Sequence, residues 1–479
     1  MTADTKTTAS ANFGVLGLGV MGRNLALNVA DHGFSVAVYN RSTTVTEQFL
    51  ACHPDAKLVG TRSTEEFIAA LEPPRRILLM IKAGDPVDKV LDGLKDHLSE
   101  GDIVIDGGNS WFEDTVRREK MAREAGFHFV GMGVSGGEEG ARFGPSLMPG
   151  GTADAWKRLK PVLEAIAADS DSGPCVTHCG PDGAGHFVKM VHYGIEYGDM
   201  QLIAESYDIM RRGMGLSAGR IADIFDTWNR DRLESFLVEL TAKVLRVTEK
   251  ASGEPLVDFV QDKAGQKGTG RWTVRIAIDM GVAIPTITAA VDARVLSSMK
   301  DVRVAAEKKL RGPASSAIEN NADMINAVGD ALYAAKICSY AQGMILIATA
   351  SSLYGWGIDL RETARIWKAG CIIRARLLDT IMNAYERRKD LPSLLLDEAL
   401  GGEVEKAQGA WRRVVGAAQN AGIPVPAMSA SLAYFDSYRT GRLPQNLTQA
   451  HRDAFGAHTY ERTDRLDEGF VHTDWLGGD

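Results

Sequence analysis

Residues 13–22 read FGVLGLGVMG. A short apolar run enters Gly17, Gly19 and Gly22 at G-x-G-x-x-G spacing, and RNLALNVADHG continues with helical periodicity to Gly33. The next apolar run is SVAVYN, residues 35–40. Strand, glycine turn, helix and strand in this order predict a Rossmann dinucleotide-binding unit. The glycines let the backbone approach a pyrophosphate seated on the helix N-terminus. Gly17, Gly19, Val20, Met21 and Gly22 are therefore the expected diphosphate contacts.

The end of the second strand selects the cofactor. An NAD enzyme usually carries Asp or Glu there, to hold the ribose 2′-hydroxyl. This chain has Asn40, Arg41, Ser42 and Thr43, with no acid. A guanidinium and two hydroxyls suit a 2′-phosphate, so NADP is expected rather than NAD.

Further strand-to-loop units follow. RILLMIKAGDPV gives a strand and a loop with Ile81, Lys82 and Ala83, then Asp85 as the expected N-cap and Pro86 at the first helical position. DIVIDGGNSW opens into a loop with Asn109, and FHFVGMGVSGG ends in Ser135, Gly136 and Gly137. In parallel sheets ligands sit beyond the carboxyl ends of strands, where all of these residues fall.

From about residue 183 the alternation stops, and helix-period segments run to about 440. The first contains KMVHYGIEYGD, residues 189–199. At about 100° per residue, Lys189, His192, Tyr193, Glu196 and Tyr197 share about 140° of arc. A core stripe is apolar, and a solvated one has no need of two tyrosines. A surface stripe of i,i+3 and i,i+4 pairs and a catalytic face both stay open from this stretch alone.

An internal echo follows. GVAIPTITAAVDA at 281 matches GIPVPAMSASLAY at 422, and IADIF at 221 matches TARIW at 363. We read a duplicated helical unit. The counterpart of the Lys189 helix is then roughly KICSYAQGMILIA from 336, which keeps a lysine but lacks the His and Glu. Between the copies, GQKGTG offers Lys267 and Thr269 to an oxyanion, and Arg294 is expected on a helix that starts soon after that loop. The C-terminal LPQNLTQAHRDAFGAHTYERTD has no periodic apolar face. It is expected to be disordered, or ordered by a partner subunit.

Net charge is −8, so no overall basic field exists to draw in nucleic acid or anionic lipid. The most apolar stretch, GMILIATASSLYGWGI, is interrupted by Thr349, Ser351 and Ser352, and no membrane span is expected. The start, MTADTKTTASA, lacks an apolar signal region and is read as a disordered tail. Five cysteines in 479 residues fit reduced thiols and a cytoplasmic setting. CVTHC (Cys175, His178, Cys179) lacks a second ligand pair at zinc spacing, so no metal site is expected.

Together GLGVMGRNLALN, NRST, DGGNS, SGGEEGAR, SLMPGG, GAGHFVKMVH, IEYGDMQ, GQKGTGRWT, CIIR and RDAFGAHTYE resemble, in order, the signatures of the 6-phosphogluconate dehydrogenases. The resemblance spans almost the whole chain. It implies an NADP-dependent oxidative decarboxylation of 6-phosphogluconate to ribulose 5-phosphate in the pentose phosphate pathway. It also implies a homodimer whose C-terminal tails enter the partner subunit. By similarity Lys189 is the catalytic lysine and Glu196 the catalytic acid. Asn109, Ser135, Gly136, Gly137, His192 and Tyr193 surround the sugar-acid chain. Tyr197, Lys267, Thr269 and Arg294 meet the phosphate, and Arg452 and His458 come from the partner's tail. Asn40, Arg41, Ser42 and Thr43 match the 2′-phosphate region, and Ile81, Lys82, Ala83 and Asn109 the cofactor loops. Two positions depart from the family: its HNG reads HYG here, with Tyr193, and Ala454 replaces a tyrosine.

The expected organisation is a tail over 1–11, an α/β Rossmann domain over 12–182, an all-α duplicated domain over 183–440 and a C-terminal tail over 441–479. Two rival readings are a β-hydroxyacid dehydrogenase that does not decarboxylate and a catalytically weak NADP-binding regulator. The first has no need of the second helical copy, the GQKGTG loop or the tail.

Overall fold

Short apolar runs separated by amphipathic segments assemble one parallel sheet between two helical layers. The computed structural model describes residues 10–266, 268–314 and 317–477. The sheet strands are β1 (Phe13–Leu16), β2 (Val36–Tyr39), β3 (Leu58–Gly60), β4 (Arg76–Leu79), β5 (Ile103–Asp106), β6 (His128–Ser135) and β7 (Ser146–Pro149). Between and after them run α1 (Val20–Asp31), α2 (Thr43–Cys52), α3 (Thr64–Ala69), α4 (Asp85–Leu94), α5 (Phe112–Glu124), α6 (Gly137–Phe143) and α7 (Ala153–Ile166). The strand order is β3-β2-β1-β4-β5-β6-β7. All neighbours are parallel except β6 and β7, which pair antiparallel. The order reverses between β1 and β4, and ligands bind at that switch point.

Burial on both faces explains the near-continuous apolar strands. Ile77 and Leu79 join Phe67, Val87 and Leu91 in one layer. Leu78 faces the other, with Leu25, Val29 and Leu163. SLMP forms the antiparallel edge strand β7, paired with β6. Gly84, not Asp85, is the N-cap of α4, because its φ of 88° suits glycine and starts the helix one residue earlier. Ser10 and Ala11, assigned to the disordered tail, instead donate their amides to the Ala70 carbonyl.

The helical part comprises α8 (Ala184–Asp208), α9 (Ala218–Trp228), α10 (Phe236–Leu245), α11 (Thr269–Asp279), α12 (Pro285–Ser298), α13 (Lys300–Glu307), α14 (Ala322–Tyr354), α15 (Leu360–Ile366), α16 (Leu377–Arg387), α17 (Glu398–Asn420) and α18 (Pro426–Tyr438). Contrary to expectation, α14 is long and apolar enough to cross a membrane by length and composition. Its apolar window is 89% buried, against α8 and α17, so it serves as a core helix.

The repeat shows in reciprocal contacts. Gln342 on α14 accepts from the Thr286 amide at the start of α12 (3.0 Å). Glu205 on α8 accepts from the Ala427 and Met428 amides at the start of α18 (2.8 Å each). Each copy's long helix thus caps a helix of the other copy. Between them Lys336 and Asp199 form a fully buried ion pair at 2.6 Å. Lys336 follows Asp199 by the same 137 positions by which Gln342 follows Glu205. Lys336 therefore corresponds to Asp199, and not to Lys189 as the sequence alignment suggested.

The chain divides into two compact units, residues 1–431 and 432–479. The second, taken by itself, holds α19 (Gln445–Gly456) and a small antiparallel pair, Tyr460–Glu461 with Phe470–Val471. The tail expected to be disordered or partner-ordered is built around the buried Asp453 carboxylate rather than an apolar face.

Candidate active site

The glycine turn after β1 is packed so closely that side chains have no room. A Cβ on Gly22 would lie 1.9 Å from the Gly17 carbonyl oxygen, and one on Gly17, at φ 101°, 2.5 Å from the Met80 carbonyl oxygen. A Cβ on Gly19 would meet nothing, so the space above the turn is open. Gly19 caps α1 without a side chain, and Val20 and Met21 begin the helix. Asn40 sets the rim: its Oδ1 accepts from the Leu18 amide at 3.1 Å. Exposed Arg41 and Ser42 precede Thr43, the first residue of α2. Ile81, exposed Lys82 and Ala83 follow β4 across the switch point. This open glycine cradle, rimmed by Arg41 and two hydroxyls, fits a dinucleotide with a 2′-phosphate.

The loop after β5 is shaped by Asp106. Its carboxylate accepts from the Gly108 amide (3.0 Å) and the Ser110 hydroxyl (2.6 Å), which leaves Asn109 exposed at the tip. His186 on α8 bonds the Asp106 carbonyl (3.1 Å) and the Thr115 hydroxyl (2.7 Å), tying this loop to the helix. Burial holds the His186 pKa below its ordinary value, so it serves as a neutral strut.

Glycines then bring α8 onto β6. A Cβ on Gly133 would sit 2.4 Å from Lys189 Cβ, and one on Gly185 2.3 Å from the Met148 carbonyl oxygen. The face carrying Lys189, His192, Glu196 and Tyr197 is thus buried, which removes the surface-stripe reading. Lys189 is 3% exposed and His192 fully buried. His192 Nε2 lies 3.4 Å from Ser135 Oγ, and Nδ1 lies 3.7 Å from Glu196 Oε2. His192 Nδ1 and Glu196 Oε2 are buried with no hydrogen-bond partner among the described residues. Unsatisfied polar atoms side by side mark a place where a polar ligand completes the bonding.

Burial lowers the Lys189 pKa to about 8, although nearby Glu196 and Cys371 pull it upward. Burial raises Glu196 above the ordinary carboxylate range, opposed by Lys189 and Arg294. His192 is held well below its usual value by burial and by Lys189, and is neutral. One helix face therefore carries a lysine poised to lose its proton and an acid poised to keep one.

Beyond Glu196 the Arg294 guanidinium stacks over the Tyr197 ring at 3.7 Å and donates to the Gly265 carbonyl at 2.9 Å. Arg294 lies on a helix, as expected, within α12, which Pro285 starts nine residues earlier. Thr269 begins α11, which presses so close that a Cβ on Gly270 would be 2.5 Å from the Tyr197 ring. Lys267 lies outside the described residues. Arg452 and His458 belong to the second unit, where both are exposed.

The second helical copy supplies a wall that sequence reading missed. The buried Trp367 ring meets His192 edge-on at 5.5 Å. A Cβ on Gly136, at φ 115°, would lie 2.6 Å from the Gly370 carbonyl oxygen. Burial pushes the Cys371 thiol up to about 12, so it stays protonated beside the lysine. The CIIR motif, at Cys371, was the available signal for this wall.

Two family models match the chain. The NAD binding domain of 6-phosphogluconate dehydrogenase covers residues 12–180, and the 6-phosphogluconate dehydrogenase C-terminal domain covers 185–475. The chain belongs to the 6-phosphogluconate dehydrogenase family. Among relatives named 6-phosphogluconate dehydrogenase, decarboxylating, the Synechococcus elongatus protein is 56% identical, over 98% of this chain and 100% of its own. The Bacillus subtilis 6-phosphogluconate dehydrogenase, NADP(+)-dependent, decarboxylating, is 53% identical over 97% of this chain and 98% of its own. A solved 6-phosphogluconate dehydrogenase from Plasmodium falciparum, described in apo form and in complexes with NADP+ and with 6-phosphogluconate, superposes with a TM-score of 0.92. It is 43% identical and covers 97% of this chain and 100% of its own.

Proposed function

We propose that this chain oxidises and decarboxylates 6-phosphogluconate to ribulose 5-phosphate and CO₂ with NADP, as a step of the oxidative pentose phosphate pathway. The observation that carries the mechanism is the opposed pair on α8: Lys189 lowered to about 8 and Glu196 raised. NADP, when bound in the glycine cradle, supplies the hydride acceptor. Gly17, Gly19, Val20, Met21 and Gly22 hold its diphosphate, and Asn40, Arg41, Ser42 and Thr43 its 2′-phosphate. Ile81, Lys82, Ala83 and Asn109 line the path to the nicotinamide end.

Neutral Lys189 takes the proton of the substrate 3-hydroxyl as C3 is oxidised. The ammonium so formed faces the new carbonyl and stabilises negative charge on its oxygen while the carboxylate leaves as CO₂. It protonates that oxygen to give an enediol. Glu196 then delivers a proton to the carbon that lost CO₂, and Lys189 takes back the hydroxyl proton as the ketone forms. Asn109, Ser135, Gly136, Gly137, His192 and Tyr193 hold the sugar-acid chain, and the unpartnered His192 and Glu196 atoms receive its hydroxyls. Tyr197, Lys267, Thr269 and Arg294 hold the phosphate.

The active form is a homodimer in which Arg452 and His458 of one tail complete the other subunit's site. Their exposure in a unit with its own polar core supports that reading. Five free cysteines support a reducing, cytoplasmic setting. The test is to mix the protein with NADP and 6-phosphogluconate, and to follow NADPH absorbance together with released CO₂. Equal amounts are expected. NADPH without CO₂ identifies an oxidation without decarboxylation.

A further inference from the structure

Three non-glycine residues among the described ones have positive φ, and two of them, in the C-terminal unit, are neighbours of one histidine. Those three are Asp182, Ala457 and Thr459, and the last two, at 48° and 56°, flank His458. The left-handed region is unfavourable for alanine and worse for a β-branched threonine. Such a hook persists only where surrounding bonds over-determine it.

Asp453 supplies those bonds from inside α19. Its side chain is fully buried. Oδ1 accepts from the Thr459 amide (2.9 Å) and His472 Nδ1 (2.9 Å). Oδ2 accepts from the Thr473 amide (3.0 Å) and Trp475 Nε1 (2.8 Å). Gln449, one turn earlier, donates to the Thr459 carbonyl (2.6 Å) and accepts from Arg452 (3.0 Å). Both backbone polar groups of Thr459 are thus held by α19 side chains, and one amide ties the hook to Arg452. Arg452 and His458 themselves stay exposed.

We propose that Asp453 is a positioning residue for the reaction: its carboxylate locks the 457–459 hook so that His458 and Arg452 reach the partner subunit's substrate in fixed geometry. This rests on the tail-exchange reading above. A strained hook whose Thr459 amide and carbonyl are both held by α19 side chains costs little to reorganise on binding, because its ordering is already complete in the free unit.

The test uses the full-length protein. Asp453→Asn keeps the size but turns an NH₂ toward two of the four donors. The expected result is a rise of tenfold or more in KM for 6-phosphogluconate, with NADP affinity unchanged. Co-expression of Asp453→Asn with Lys189→Ala chains should restore activity, because one site of each hybrid then pairs an intact Lys189 with an intact tail. Should Asp453→Asn unfold the tail, Trp475→Phe removes one donor while keeping the ring, and should raise the same KM two- to threefold. The proposal is overturned if His458→Ala raises KM while Asp453→Asn and Trp475→Phe do not. If His458→Ala leaves KM unchanged, or its hybrids with Lys189→Ala recover no activity, tail exchange itself is wrong and the proposal falls with it.

Discussion

Lys189 Nζ lies 4.2 Å from the centroid of the Tyr193 ring, one helical turn further along α8. The ring face favours the ammonium form, against the burial that disfavours it. Neutral lysine is the form that starts oxidation, so kcat/KM should rise with pH through about 8. Removing the ring lowers the lysine pKa and makes neutral lysine available at lower pH. Tyr193→Leu should therefore move the acid limb down by roughly half a unit or more, while Tyr193→Phe leaves it in place. A pH–rate profile for each variant checks this. Equal profiles for Leu and wild type would show that the ring does not act on the lysine.

Glu196 enters after CO₂ has left. Glu196→Gln should lower kcat by about 10²–10⁴-fold, yet leave a first-turnover burst of NADPH and CO₂ ahead of ribulose 5-phosphate. Rapid-quench kinetics separate the steps. Loss of the burst in proportion to kcat would place Glu196 in the oxidation instead.

Arg41 discriminates cofactors by charge. Arg41→Glu should raise KM for NADP far more than for NAD, since only the former carries a 2′-phosphate. Gly22→Ala should remove binding of both, because its Cβ would collide with the Gly17 carbonyl at 1.9 Å. Steady-state KM values with each cofactor decide this, and an equal loss on Arg41→Glu would refute the assignment of the 2′-phosphate region.

The Asp199–Lys336 pair is buried at both ends, so breaking it strands a charge in the core. Lys336→Met alone should cost about 3–5 kcal/mol, and the double variant Asp199→Leu, Lys336→Met less than either single change. Denaturant unfolding of the four proteins measures the cycle. Additive losses would mean that the two charges do not stabilise one another.

Much of this was legible in the sequence, for physical reasons that differ by region. β1 and α1 announce themselves because glycine spacing, strand and helix agree at every level. Lys189 to Tyr197 could be placed on one face by period alone, but burial of that face depends on Gly133 and Gly185, whose effect appears only when β6 and α8 meet. Trp367 and Cys371 lie far along the chain from α8 and reach His192 and Lys189, respectively, only through packing of the second copy. The Lys336 correspondence was misread because a lysine was matched by type, while reciprocal capping fixes the register. The tail was read as unpacked because its core is one carboxylate and four donors, which leaves no apolar period to find.

The central claim is that Lys189 is the group through which both oxidation and decarboxylation run. Lys189→Ala, assayed with NADP and 6-phosphogluconate beside a direct measurement of NADP binding, tests it most directly. The account predicts no NADPH or CO₂ above background, with cofactor affinity nearly unchanged. Turnover close to that of the unmodified protein would contradict it.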